Sequence, residues 1–304
     1  MEIREIDEHE LDTFVRIALA AQPRERATVG DFVDWRRQAE AMVWLLCERD
    51  GSALGAGFAL TGWHTPPHRA IGAALVAPDS RGAGVGTSVL RAVEAWASER
   101  GATELEGPVQ EDDADSIAWT ERHGYAEVER NSHLVLDLTT IDPPEPDPPP
   151  GIEIVTWAER PELAAGLYEV AREATPDIPG AEEDELGSLE EWLERDMGGA
   201  GDDPHAVFVA LAGTEVTGFA KFSLSTGDRE RAFHDLTGVR RAWRGRGIAA
   251  ALKRTQIAWA KNAGFTSLQT SNEARNEPIR RLNERHGYKI EPGTVTVRAA
   301  IGAT

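Results

Sequence analysis

"VRRAWRGRGIAAALKRT" occupies residues 239–255. Val239 closes the run "AFHDLTGV", whose aromatic and β-branched content suits a strand. Gly245 and Gly247 permit a tight turn, and "IAAALKRTQIAWAKNAG" then carries apolar residues at helical spacing as far as Gly264. The stretch therefore reads strand, turn, helix. "VAPDSRGAGVGTSVL", residues 76–90, repeats it at an offset of 163 residues. At the same offset Val76 pairs with Val239, Ala95-Trp96-Ala97 with Ala258-Trp259-Ala260, Gly101 with Gly264, and "ERHGY" at 121–125 with "ERHGY" at 284–288. No gap is needed over about 60 residues, so the chain is a tandem duplication.

The turn has chemical consequences. Glycines let the backbone pass close to a ligand, and the first N–H groups of the following helix, with its dipole, suit a pyrophosphate. Arg244 and Arg246 add positive charge, and Arg240 and Arg241 crowd the same rim. Gly245-Arg246-Gly247-Ile248-Ala249-Ala250 also matches G-x-G-x-x-A, but that dinucleotide fingerprint belongs after the first strand of a parallel βαβ unit. Here it follows at least three strands and a hairpin, and the first copy has Thr87 in its last position, so a nicotinamide site is not expected. No Gly-Lys-Ser/Thr follows, so a nucleoside-triphosphate loop is expected still less.

At 304 residues the chain exceeds the usual size of one core. Its 41% hydrophobic content is that of a globular protein. No apolar run approaches the length of a membrane span, and the start "MEIREIDEHE" is acidic where a signal peptide would be basic. A soluble, cytoplasmic monomer or homodimer is expected, with no membrane partner. The net charge of −20 argues against a nucleic-acid partner. The lone Cys47 excludes internal disulfides and thiolate metal clusters and reads as a core residue. His64 and His68 lie in a hairpin loop without a third ligand, so no metal site is expected.

"DPPEPDPPPG" (142–151) favours an extended, semi-rigid spacer. It divides the chain into domains of 1–139 and 152–304, joined by a Pro-rich linker at 140–151. In the second half, "GIEIVTW" reads as a strand and "PELAAGLYEVAREA" and "AEEDELGSLEEWLERDM" as helices. "HAVFVALAG" and "TEVTGFAKFSLS" form a hairpin around Gly213-Thr214, and "AFHDLTGV" is the next strand. After the long helix, "TSLQTSN" is a strand, "EPIRRLNERHG" a short helix and "TVTVRAA" the last strand. The first half repeats this order through "SHLVLDL". Each half is thus a mixed, mainly antiparallel sheet flanked by helices, an α+β fold.

With these residues in view, both halves resemble the GCN5-related N-acetyltransferases. That family carries R/Q-x-x-G-x-G/A between its fourth strand and third helix. It reads here as Arg244-Gly245-Arg246-Gly247-Ile248-Ala249 and as Arg81-Gly82-Ala83-Gly84-Val85-Gly86. A later family segment matches Asn272, Asn276 and Gly287-Tyr288. The resemblance implies acetyl-CoA as donor and a primary amine as acceptor, and a small-molecule amine is the expected partner. It also implies that the backbone of Val239 and Arg241 pairs with the pantetheine arm, that the amides of Arg244 through Ala249 hold the pyrophosphate, and that Asn276 sits near the thioester. Val76 and Arg81 through Gly86 are the matching positions of the first half. For the cofactor to enter, the fourth and fifth strands must splay apart, with a backbone N–H near Val239 against the acetyl carbonyl.

An amine attacks only when neutral, so a general base is useful. Strand alternation is expected to put Val239, Thr237 and Asp235 on one side, which makes Asp235 the leading base, with His234 second. The family assigns proton return to the departing thiolate to a Tyr; those positions hold Asn283 and Thr120, so no general acid is identified. Tyr125 and Tyr288 read as core aromatics. The first half has Gly72 in the place of Asp235 and Asp113 in that of Asn276, with Glu106 as a substitute base. The second domain is therefore expected to catalyse and the first to be degenerate. Residues 151–203 hold three Lys/Arg against sixteen Asp/Glu, and the acidic run 182–196 could attract a cationic amine. The rival reading is a non-catalytic acyl-CoA-binding sensor or assembly module.

Overall fold

The computed structural model describes residues 1–23, 27–62, 65–178, 186–199, 201–224, 230–273 and 276–302. The chain forms two contact units, one of residues 1–130 with 293–304 and one of residues 131–292. The first unit contains β1 (Glu2–Glu5), α1 (Leu11–Ala21), α2 (Val29–Gln38), β2 (Ala41–Arg49), β3 (Ser52–Thr61), β4 (Arg69–Val76), α3 (Val85–Glu99), β5 (Glu104–Gln110) and α4 (Ala114–Arg122). β6 (Ala126–Asp137) leads out of it. The second contains β7 (Glu153–Thr156), α5 (Ala164–Ala174), α6 (Leu189–Asp196), β8 (Val207–Ala212), β9 (Glu215–Leu224), β10 (Arg231–Val239), α7 (Ile248–Asn262), β11 (Ser267–Glu273) and α8 (Glu277–Arg285), before β12 (Lys289–Ala300) leads back.

The division by sequence repeat and the division by contact differ at one strand. Asn131–Asp137 of β6 pairs antiparallel with β11, whereas Thr294–Ala300 of β12 pairs antiparallel with β5. Each unit therefore receives its closing strand from the other repeat. Alternating apolar residues mark such a segment as a strand but do not say which neighbour it takes, so the sequence alone placed both closing strands with their own repeats.

Within each unit the sheet is antiparallel except for one parallel pair, β4·β5 in the first and β10·β11 in the second. Each sheet buries both faces. In the first, Val89 and Val93 of α3 pack against Val43, Ala59 and Leu105 on one face, while Phe14 and Phe32 of α1 and α2 meet Trp44 and Leu60 on the other. In the second, Leu252 and Ile257 of α7 cover Phe208 and Phe222, and Leu167 and Trp192 of α5 and α6 cover Val209 and Phe219. Burying such side chains contributes about 1.5–3 kcal/mol apiece. Cys47 is one of these buried residues.

Helix starts follow local chemistry. Thr28 and Ser188 close capping boxes on α2 and α6. The acidic helix read from residue 181 thus begins only at Leu189; residues 181–185 lie outside those described. α3 and α7 instead begin on Gly84 and Gly247, both left-handed (φ 80° and 86°) and without a side-chain cap. The Pro-rich segment lies along α7: Arg254 pairs with Asp147 at 3.0 Å, and Pro149 approaches Gly247.

Candidate active site

The parallel pair opens in both units. β4 and β5 are in register only from Arg69↔Glu104 to Ile71↔Glu106, and β10 and β11 only from Arg231↔Ser267 to Phe233↔Gln269. Beyond those three residues the strands part, each gap leading to a glycine turn. In the first unit the gap is a cavity of about 500 Å³, bordered by Gly72–Val76, the turn at Arg81–Gly86, Gly107–Gln110, and Trp119 and Thr120 of α4. Gly107 is required where the strands begin to part, because a Cβ there would lie 2.1 Å from the Gly72 carbonyl oxygen.

The turn residues singled out by sequence converge in each unit. Arg81 and Arg244 both fold back to donate from Nε to the carbonyl of the strand's last valine, Val76 at 3.3 Å and Val239 at 2.9 Å. Gly82 and Gly245 take left-handed φ of 77° and 74°, as do Gly84 and Gly247. Ala83, Val85 and Gly86, and Arg246, Ile248 and Ala249, complete the two stretches, with Val85 and Ile248 buried as the first residues of their helices. This is the backbone that an anionic diphosphate needs, since the helix's first amides have no intrahelical acceptor.

The rims differ. In the first unit Arg81 pairs with Asp113 at 3.0 Å, and Asp113 also caps α4 through the Ser116 N–H. In the second, Glu173 at the end of α5 accepts from the Arg241 backbone N–H and pairs with Arg240 at 3.2 Å. Asp177 lies 2.7 Å from both Arg241 and Arg244, and those guanidinium groups hold its carboxyl below the usual range. Arg246 stacks on Trp243. The Arg241 N–H expected to meet the pantetheine is thus engaged by Glu173 here, while the first unit has Pro78, with no N–H, at the matching position.

β10 carries a bulge between His234 and Thr237, so Asp235 and Leu236 together stand opposite Lys221 of β9. The extra residue breaks the alternation expected from sequence. His234 and Val239 face α7, whereas Asp235 and Leu236 face α5 and α6. Asp235 and Val239 are therefore on opposite faces. The Asp235 side chain is 49% exposed and meets the Lys221 ammonium at 2.9 Å. That ammonium, 5% exposed, also meets Asp202 at 2.7 Å and donates to the Asp196 carbonyl. Facing Asp235 and Asp202, Lys221 is held above its ordinary pKa despite the opposing effect of burial.

His234 is not at this surface. It is 3% exposed, its Nδ1–H donates to Gln256 Oε1 at 3.1 Å, and its Nε2 accepts from the Tyr288 hydroxyl. Burial, with Lys253 nearby, pushes its pKa well below 6.5, so it is a neutral core histidine and not a base for an acceptor. Tyr125 and Tyr288 are buried, as expected of core aromatics. Glu106, the substitute base read for the first half, pairs with Arg298 at 2.8 Å and with Arg69 at 3.6 Å. Asn276 stands at the N-cap position of α8; the side chain of Asn272, residues 274 and 275, and His64 are outside the description. His68 lies 3.7 Å from Glu104. Among the described residues no group of three or more His, Cys, Asp or Glu could hold a metal ion, and no helix is long and apolar enough to cross a membrane.

Sequence reading missed Lys253, a lysine 1% exposed in α7. The signal was present: the repeat aligns it with Leu90, on the buried face of α3.

The molecule is similar to several solved structures. A GCN5-related N-acetyltransferase from Sphaerobacter thermophilus superposes with a TM-score of 0.77 at 22% identity, over 99% of this chain and 96% of that one. A tandem GNAT protein from the clavulanic acid biosynthesis pathway gives 0.80 at 21% identity, over 100% and 99%. A GCN5-related glucosamine N-acetyltransferase region of a fungal multi-domain β-N-acetylglucosaminidase gives 0.71 at 16% identity, over 98% of this chain and 38% of that one. No curated protein sequence matches the chain. The family model for acetyltransferases (GNAT) matches twice, over residues 3–125 and 165–288. With that match taking in both glycine turns and both diverging strand pairs, the chain belongs to the acetyltransferase (GNAT) family.

Proposed function

We propose that this protein transfers an acetyl group from acetyl-CoA to a primary amine, and that the transfer takes place in the second unit. The observation that carries the reading is the parting of β10 and β11 with Asp235 at the point of divergence. A thioester seated between the strands would have the amides of Gly245 through Ala249 at its phosphates and a carboxylate at its reacting end. Asp235 draws in the ammonium form of the acceptor and, directly or through water, takes the proton that must leave before attack. Lys221 fixes the orientation of that carboxylate. The exposed Glu190, Glu191 and Glu194 of α6 add negative charge to the second unit, which favours a small cationic amine.

The first unit offers the same turn and a cavity, but Gly72 stands where the second has Asp235. We assign it acyl-CoA binding without transfer. A purely non-catalytic acyl-CoA-binding role for the whole chain is the rival, favoured by that missing carboxylate. Thiol release from acetyl-CoA across a panel of small amines separates the two. Transfer that falls at least about 100-fold in Asp235→Asn, the range for a lost acid–base group, supports the reading. Turnover unchanged in Asp235→Asn removes Asp235 from it, and no thiol release with any amine favours the rival.

A further inference from the structure

Lys253 is the most deeply buried lysine of the chain, 1% exposed on the inner face of α7. No carboxylate forms an ion pair with it among the described residues, and its Nζ lies 5.4 Å from the centre of the Tyr288 ring. Burying an ammonium without a partner is costly, and a leucine fills the same position in the first repeat. That leucine, Leu90, borders the first unit's cavity together with Thr120 and Tyr125. Their counterparts in the second unit are Lys253, Asn283 and Tyr288. The second repeat thus sets a longer, cationic side chain at the position that in the first unit borders the gap between parting strands.

Its place relative to Asp235 gives it a direction. Asp235 faces α5 and α6, while Lys253 belongs to the helix on the opposite face of the sheet. Five residues separate it from Ile248, the first residue of α7, or about 7.5 Å along the helix at 1.5 Å per residue. The phosphate-binding turn and Lys253 therefore share one face of the sheet, and the proposed proton acceptor has the other.

We propose that Lys253 is the proton donor to the departing coenzyme A thiolate, a role for which neither repeat carries the family's tyrosine; the proposal rests on the transferase reading above. The amine nitrogen bonds to the thioester carbonyl carbon, the C–S bond breaks, and the electron pair stays on sulfur. The Lys253 ammonium gives that sulfur a proton and is left as a neutral amine. The proton lost by the attacking nitrogen passes to Asp235 or water, and solvent reprotonates Lys253, so the balance is amine plus acetyl-CoA to amide plus free thiol. Burial lowers the Lys253 pKa to about 7, which makes the ammonium a far better acid than an ordinary lysine. The ionisable groups around it are His234 on β10, Arg254 on α7, His286 at the end of α8, and Tyr288. Both histidines are pushed toward neutrality and Tyr288 is held protonated by burial, leaving Lys253 as the group that titrates near neutrality.

The test uses Lys253→Leu, the first repeat's own residue, with Lys253→Met as a second variant should leucine disturb folding. kcat is expected to fall about 100-fold or more, the range for a lost general acid. The wild-type rate should decline as pH rises through about 7, and that limb should vanish in the variants. The deficit should shrink with an acetyl thioester of a more acidic thiol, which needs no proton to leave. Independently of turnover, bound coenzyme A should lose its thiol proton at lower pH in wild type than in Lys253→Leu, read by ultraviolet thiolate absorbance. An unchanged kcat and pH profile in a folded variant overturns the proposal. So does a deficit that is the same for every leaving thiol. If wild type acetylates no amine, the transferase reading fails, and the thiolate titration still decides whether Lys253 meets the sulfur.

Discussion

Replacing Lys253 by leucine should stabilise the protein, by an amount that depends on pH. Burial takes the ammonium from its ordinary 10.5 to about 7. At ~1.36 kcal/mol for each pH unit, that shift corresponds to at most about 5 kcal/mol of lost hydration in the folded state. The folded pKa lies below the unfolded one, so between roughly pH 7 and 10.5 the unfolded chain holds the extra proton and wild-type stability rises with pH. The full penalty applies below about pH 7 and is gone above about 10.5. Leucine carries no proton, so the advantage of the variant should be largest near pH 6 and should close as pH approaches about 10. Urea unfolding across that range, followed by hydrogen exchange in α7 peptides, reads the second unit separately from the first. An advantage that stays constant with pH, or a variant less stable than wild type near pH 6, would refute the claim that the ammonium is buried without a counter-charge.

Lys221→Met should be destabilising where Lys253→Leu is not, because it leaves Asp202 buried with its ammonium removed. The expected cost is about 3–5 kcal/mol, seen as a lower melting temperature; a loss under about 1 kcal/mol would mean that water reaches Asp202. Asp177→Asn frees Arg241 and Arg244 from their carboxylate. Calorimetry should show coenzyme A binding tighten roughly two- to five-fold at low salt and less at high salt; unchanged affinity would mean that these arginines do not meet the phosphates. Gly84→Val and Gly247→Val each force a branched residue into left-handed backbone, at about 1–2 kcal/mol. Each should remove one coenzyme A from the binding stoichiometry, and a variant that keeps full stoichiometry would exclude its turn from the site.

Much of the architecture was legible because it is written in short-range patterns. The strand-turn-helix junctions and the hairpin at Gly213-Thr214 depend on neighbours within a few residues of one another, and the 163-residue offset repeats those same local patterns. Backbone geometry there follows from glycine's freedom and from apolar periodicity. The sites were less legible. One inserted residue in β10 moved Asp235 to the face opposite Val239, and nothing in "HDLTGV" announces that bulge, because it arises from pairing with β9. His234 read as the second candidate base, but Gln256 and Tyr288 hold it in the core.

By itself the sequence determined that the chain is two copies of one α+β unit, each with a glycine turn ahead of a long helix. Only the tertiary structure decided which closing strand serves which unit, that Glu173 and Asp177 reach the arginine rim, and that Asp235 and Lys253 lie on opposite faces of one sheet. The physical reason is range. Local propensity fixes each element, but the partner of a side chain is chosen by packing among residues far apart in the chain, and the charge states on which chemistry depends are set by that packing.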